Sequence, residues 1–182
     1  MTVLVIGVGR IGKVSAQLSN GCGAKVNGYD PYDQSCDNVE FFDDLKEAIS
    51  KADLITLHVP ANDETMHMID EETISYMKNG AYLVNTSRGI TVDTKALLKG
   101  LNEGKIHSAA LDVYEHEFDY FAYDYSNKSI EDEILKDLLS RDDVLISPHI
   151  AFYTKTAVQN MVEISLDSAL EVINTGKSLN EI

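Results

Sequence analysis

The sequence predicts an α/β domain built on an open, doubly wound parallel sheet. Short segments that are apolar on both faces alternate along the 182 residues with segments whose apolar residues recur at helical spacing. Glycine or proline punctuates the strand ends, and the first strand runs straight into Gly7-Val8-Gly9-Arg10-Ile11-Gly12. Strand and helix in strict alternation build a parallel sheet covered by helices and joined by right-handed crossovers.

The elements follow in order. Residues 2–6 (TVLVI) read as a buried strand, 11–20 as a helix stopped by NGCG, and 24–30 as the second strand. Residues 41–52 carry apolar side chains at helical spacing, and 54–60 form a third strand closed by Pro60. Acids in the first turn mark 70–78 as a helix. Then come a strand at 81–86, a helix at 91–104, a strand at 108–113, and an acidic, tyrosine-rich stretch over 114–129. A helix near 130–140, a strand at 144–148, a long helix at 153–175 and a tail from Gly176 complete the chain. The expected division is a domain over 1–150 and a C-terminal helix and tail over 151–182.

Composition narrows the functional classes. Fifteen basic residues stand against 30 acidic ones, a net charge of −15, so neither nucleic acid nor an anionic membrane finds a positive face. Cys22 and Cys36 form no C-x-x-C pair and suggest reduced thiols in a cytoplasm. The opening residues lack the basic region of a signal peptide, and no apolar run reaches the ~20 residues of a membrane span. No His, Cys, Asp or Glu cluster has metal-ligand spacing, so no metal is expected.

The G-x-G-x-x-G run, preceded by a strand and followed by a helix, is a dinucleotide fingerprint of the Rossmann type. Gly7 permits the tight turn, Gly9 lets backbone amides approach a pyrophosphate, and Gly12 lets the helix pack close to the strand. The helix N-terminus supplies N–H groups and positive potential. Asp30 lies 18 residues past Gly12, near the ~20 expected of a ribose-binding acid. Its carboxylate is expected to accept from both ribose hydroxyls and to repel a 2′-phosphate. No arginine follows in DPYDQS, so NAD is favoured over NADP.

Arg88, Glu117 and His149 each follow a predicted strand, at the carboxyl edge where open sheets bind ligands. Hydride transfer to a 2-keto acid needs a bidentate cation for the carboxylate, a proton donor for the carbonyl oxygen and a carboxylate to orient that donor. Arginine, histidine and glutamate suit these roles. Taken singly, Arg88 could equally serve a salt bridge, Glu117 be one more surface acid, and His149 a capped core histidine.

The runs GVGRIG, YDP, LHVP, VNTSRG, LDVYEHE and SPHIAFYT resemble the cofactor-binding part of the D-2-hydroxyacid dehydrogenase family over nearly the whole chain. HIAFYT and the acidic insert between Glu117 and His149 are similar to its D-lactate dehydrogenase branch. The resemblance implies that Arg88 binds the substrate carboxylate, that His149 is the acid–base residue and that Glu117 is its partner. It also implies NAD contacts at Arg10, Ile11, Asp30, Val59, Pro60, Thr86, Ser87, Arg88 and Asp112, with Thr65 in a variable loop.

Several residues keep two readings. His58 is either a satisfied strand-end histidine or a cofactor contact. Asp112 either adjusts charge near the nicotinamide or makes a strand-end hydrogen bond, and Phe152 either lines the substrate or packs in a core. His67, His107 and His116 read as surface residues.

In the resembled family a substrate lobe precedes the fingerprint and the last helix returns to it. The chain is therefore expected to be the NAD-binding portion without that lobe, acting on a small 2-keto or 2-hydroxy acid such as pyruvate, with a homodimer as its assembly. The alternative is a non-catalytic NAD-binding sensor of the same superfamily.

Overall fold

The computed structural model describes residues 1–121 and 123–180, in two compact units that divide between Pro148 and His149. The first unit holds seven parallel strands: β1 (Thr2–Ile6), β2 (Lys25–Tyr29), β3 (Val39–Phe41), β4 (Leu54–Leu57), β5 (Ala81–Asn85), β6 (Ile106–Leu111) and β7 (Val144–Ile146). Their order across the sheet is β3-β2-β1-β4-β5-β6-β7. The order reverses at β1, between the halves led by β2 and β4, and such a switch point opens a crevice at the carboxyl ends.

Side-chain alternation divides the interior into two cores. Leu4 and Ile6 of β1 join Ile55, Leu57, Leu83 and Leu111 against helix residues Ile49, Ile74, Leu97 and Leu138. Val3 and Val5 join Val26 and Ala16 on the other side. The helices are α1 (Arg10–Gly21), α2 (Leu45–Lys51), α3 (Glu71–Tyr76), α4 (Thr94–Asn102), α5 (Glu117–Tyr120) and α6 (Glu133–Ser140).

Carboxylate caps set several helix starts. Asp44 accepts from Glu47 N–H, Asp70 forms a capping box with Thr73, and Asp93 accepts from Lys95 and Ala96 N–H. These caps account for the departures from sequence expectation. The helix expected from residue 41 starts only after Asp44, because Phe41 ends β3, which pairs with β2. The helix expected over 91–104 divides into a 3-10 turn at Gly89–Thr91 and α4 behind the Asp93 cap. Within the acidic stretch, Glu117 opens the short helix α5.

The second unit contains α7 (Lys155–Thr175), capped by Thr154, whose hydroxyl accepts from Ala157 N–H, and stopped at Gly176 with φ +78. None of the α7 residues is buried. Of the tail expected past Gly176, residues 181 and 182 lie outside the described residues, as does Ala122 in the acidic stretch. No helix among the described residues is long and apolar enough to cross a membrane.

Candidate cofactor and active site

The loop after β1 is shaped by contacts a side chain would destroy. Gly7 takes φ +85, and a Cβ there would lie 2.6 Å from the His58 carbonyl oxygen. At Gly12 a Cβ would meet the Gly7 carbonyl oxygen at 1.9 Å, so the first turn of α1 sits directly on the loop. Around Gly9, by contrast, the space a Cβ would enter is open. No side chain caps α1. The N–H groups of its first turn, at Arg10, Ile11 and Gly12, are thus of the kind a helix leaves for an anion.

Asp30 ties this loop to the end of β2. Its Oδ2 accepts from Val8 N–H at 2.8 Å, and its Oδ1 accepts from the N–H groups of Tyr32 (2.8 Å) and Asp33 (3.0 Å). A carboxylate has about four acceptor positions. Three are occupied by backbone, which leaves an acceptor position on Oδ2 toward the cleft.

Gly7, Gly9, Asp30, Val59, Pro60 and Thr65 line a common cleft of about 400 Å³. Thr65 is fixed there by donating from its hydroxyl to the Pro60 carbonyl at 2.7 Å. His58 has the partner that a satisfied strand-end histidine needs, and it faces the cleft. Its Nε2 lies 3.1 Å from the Thr56 hydroxyl. Burial pushes its imidazole below the ordinary value, which favours the neutral ring. The Tyr32 hydroxyl donates to Glu64 at 2.6 Å beside the same cleft.

A dinucleotide fits these residues: an uncapped helix start for phosphates, a glycine loop with no room for a Cβ at Gly7 or Gly12 and open space beside Gly9, and a buried carboxylate with an acceptor position left. Asp30, Val59, Pro60 and Thr65 would hold the adenosine half, and Arg10, Ile11 and Gly12 the pyrophosphate.

Thr86, Ser87 and Arg88 form the turn after β5, outside that cleft. Asn85, which the sequence reading passed over, organises the turn from a buried position. Its Oδ1 accepts from the N–H (3.0 Å) and hydroxyl (2.8 Å) of Ser87, and its Nδ2 donates to the Arg88 carbonyl (3.0 Å) and Thr91 hydroxyl (3.2 Å). The signal was present in VNTSRG, as an amide side chain at a strand end ahead of a turn. Arg88 is exposed and donates one guanidinium N–H to the Ser87 carbonyl at 2.7 Å.

Backbone packing joins this turn to the one after β6. A Cβ on Gly89 would stand 2.1 Å from the Tyr114 carbonyl oxygen. Beyond that contact, Glu117 is buried, and its Oε2 accepts from Tyr114 N–H at 3.0 Å. Asp112 is buried too. It accepts from the Ser147 hydroxyl at 2.5 Å, which supports the strand-end reading.

His67 is partly exposed at the surface and is also paired. Its Nε2 lies 2.6 Å from Glu115 Oε1, while Glu115 Oε2 accepts from the Thr94 hydroxyl at 2.9 Å. The pair links the loop after β4 to the turn after β6. His107 and His116 are exposed, with their rings edge-on to Tyr82 and Tyr114.

His149 opens the second unit, immediately after Pro148, and takes φ +52. A non-glycine residue in the left-handed region costs on the order of 1–3 kcal/mol and is concentrated at functional sites. Within its unit, the His149 ring is edge-on to Phe152 at 6.3 Å between centroids. Phe152 is exposed, so packing in a buried core does not describe it. Among the described residues, no group of three or more His, Cys, Asp or Glu side chains could hold a metal ion.

The strand order, the glycine loop and the Asp30 cleft together define a dinucleotide-binding α/β domain. The chain belongs to the family described as D-isomer specific 2-hydroxyacid dehydrogenase, NAD binding domain, whose profile matches residues 1–151. It is 46% identical over 177 residues to a D-lactate dehydrogenase of Staphylococcus epidermidis, covering 97% of this chain and 54% of that protein. Over 184 residues it is 46% identical to the D-lactate dehydrogenase of Lactiplantibacillus plantarum, covering 100% of this chain and 55% of that protein. The chain therefore spans about half the length of the curated relatives it matches. A D-lactate dehydrogenase structure from Treponema pallidum superposes with a TM-score of 0.93 at 42% identity, covering 100% of this chain and 55% of that one. An NAD-complexed D-isomer specific 2-hydroxyacid dehydrogenase from Lactobacillus delbrueckii ssp. bulgaricus gives 0.90 at 37%, covering 98% and 55%.

Proposed function

We propose that this chain is the NAD-binding portion of a D-lactate dehydrogenase-like enzyme that moves hydride between NADH and a small 2-keto acid such as pyruvate. The observation that carries the proposal is the Asp30 cleft and glycine loop of a family NAD-binding domain, with an exposed arginine held at the end of β5, two strands along the sheet from β1.

When bound, the nicotinamide supplies or accepts the hydride. The residues of the chain bind, orient and move the proton. Arg88 keeps most of its guanidinium fork available, so it anchors the substrate carboxylate bidentately. His149 delivers a proton to the carbonyl oxygen during reduction and takes it back during oxidation. Glu117 takes the role of carboxylate partner that the family resemblance assigns it, and Asp112 holds the turn after β7 through the Ser147 hydroxyl. A homodimer fits the exposed apolar residues of α7 (Met161, Val162, Leu166 and Leu170), which favour association. A cytoplasmic location fits two free cysteines.

The test restores a substrate lobe, fused or in trans, and follows NADH oxidation with pyruvate and related keto acids. Turnover is expected, and Arg88→Lys lowers kcat/KM by about 100-fold or more, because the charge remains and the bidentate fork is lost. A fused enzyme that binds NADH yet reduces no 2-keto acid, or an Arg88→Lys variant with unchanged kcat/KM, refutes the assignment.

A further inference from the structure

A cation stands beside the proposed ribose site that the sequence reading did not find. Lys13, in the second turn of α1, donates from Nζ to Asp33 Oδ2 at 2.7 Å and to the Ser35 hydroxyl at 3.1 Å. The other Asp33 oxygen accepts from the N–H of Ser35 at 2.8 Å and from its hydroxyl. Asp33 in turn donates its own N–H to Asp30 Oδ1 at 3.0 Å. An ammonium, a hydroxyl and a backbone N–H therefore converge on one carboxylate, which abuts the acid assigned to the ribose.

That set of donors is what a phosphate monoester needs: a cation together with several hydrogen-bond donors. Here an internal anion already occupies it. Lys13 and Ser35 hold the Asp33 carboxyl far below its usual range, so it stays charged in the neutral range. A 2′-phosphate arriving on the ribose would meet an engaged lysine and two carboxylates.

We propose that Asp33 is a specificity-determining residue: it acts as a built-in anion that fills a latent 2′-phosphate site formed by Lys13 and Ser35, so that NADPH is rejected by Asp33 as well as by Asp30. The inference rests on the proposed NAD reading and deepens it. It places discrimination on a half-buried ion pair as well as on the buried acid, and it makes Lys13 the residue that a phosphate would capture.

The experiment measures NADH and NADPH affinity by fluorescence titration on this chain, with adenosine 2′,5′-bisphosphate and AMP as probes of the adenosine half alone. Asp33→Asn is expected to raise NADPH and bisphosphate affinity about tenfold, or about 1.4 kcal/mol, with NADH and AMP affinity changed by less than about twofold. The gain shrinks with added salt, because both side chains are partly open to solvent. Lys13→Met in the Asp33→Asn background returns NADPH affinity to the wild-type level, and Lys13→Met alone weakens NADPH binding further. NADH affinity in each variant reports that the site is still folded. An unchanged NADPH-to-NADH ratio in Asp33→Asn, or a gain that survives Lys13→Met, overturns the inference while leaving the NAD reading intact. A wild-type chain with no affinity for NADH overturns that reading and this inference with it.

Discussion

Asp30 shows how much one residue carries. The sequence marks it as a ribose acid from its distance past the glycine loop, and the structure places its carboxylate in the cleft beside that loop. What the position does not reveal is that the carboxylate also gathers three backbone N–H groups from two segments. Leaving buried donors unpaired costs about 1–3 kcal/mol apiece. Asp30→Ala is therefore expected to lower thermal stability together with NADH affinity, whereas a residue that touched only the ligand would lower affinity alone. Paired melting curves and NADH titrations separate the two cases. In the wild-type chain, NADH is expected to bind at least about tenfold more tightly than NADPH, and equal affinities would remove Asp30 and Asp33 from discrimination.

The elements were legible where local chemistry sets them and obscure where a distant segment does. The strands at the centre of the sheet declare themselves by being apolar on both faces. Strand β3 does not, because three residues half-covered at a sheet edge carry no period, and Phe41 with Phe42 imitates the start of a helix. The glycine fingerprint was readable since its requirement is backbone space at Gly7 and Gly12. The links between His67 and Glu115 and between Lys13 and Asp33 were not, because each joins segments that only folding brings together, whereas the Asn85 turn is local and its signal lies in VNTSRG.

Two such links are testable. Gly89 has no room for a methyl group against the Tyr114 carbonyl. Gly89→Ala should cost about 1–3 kcal/mol or more, and a variant that melts with the wild type would contradict the close approach of the two turns. Burial alone would raise the Glu115 carboxyl, but hydrogen bonds from His67 and Thr94 overcome it and hold the group below its ordinary 4.5. A depressed value means stability that is complete above the ordinary value and lost as pH falls through the folded one. Glu115→Gln should thus melt lower near pH ~7, with the deficit closing below pH ~4. A deficit of constant size across that range would show that the hydrogen bonds to Glu115 do not depend on its charge.

At the scale of the molecule, 182 residues carry the candidate cofactor cleft but match only 54–55% of the length of their relatives. Holding a keto acid at reacting distance requires closure around it that excludes water. These residues taken alone are therefore expected to bind NADH and to show negligible pyruvate reduction, both measured on one preparation. Brisk turnover by this chain without a companion lobe would mean that Arg88, Glu117 and His149 suffice to fix the substrate.

The glycine loop is tethered before any ligand arrives. Gly7 N–H donates to the Tyr29 carbonyl at 2.9 Å, Val8 N–H to Asp30, and Lys13 N–H to the Gly9 carbonyl at 2.9 Å. A receptor that has nothing left to fold has no gating step, and capture becomes a matter of encounter frequency. Stopped-flow mixing with NADH should give one exponential whose rate climbs in proportion to concentration, without the plateau that a slow rearrangement imposes. Variants that cut the tether at Asp30 should acquire that plateau, turning a diffusive capture into a two-stage one.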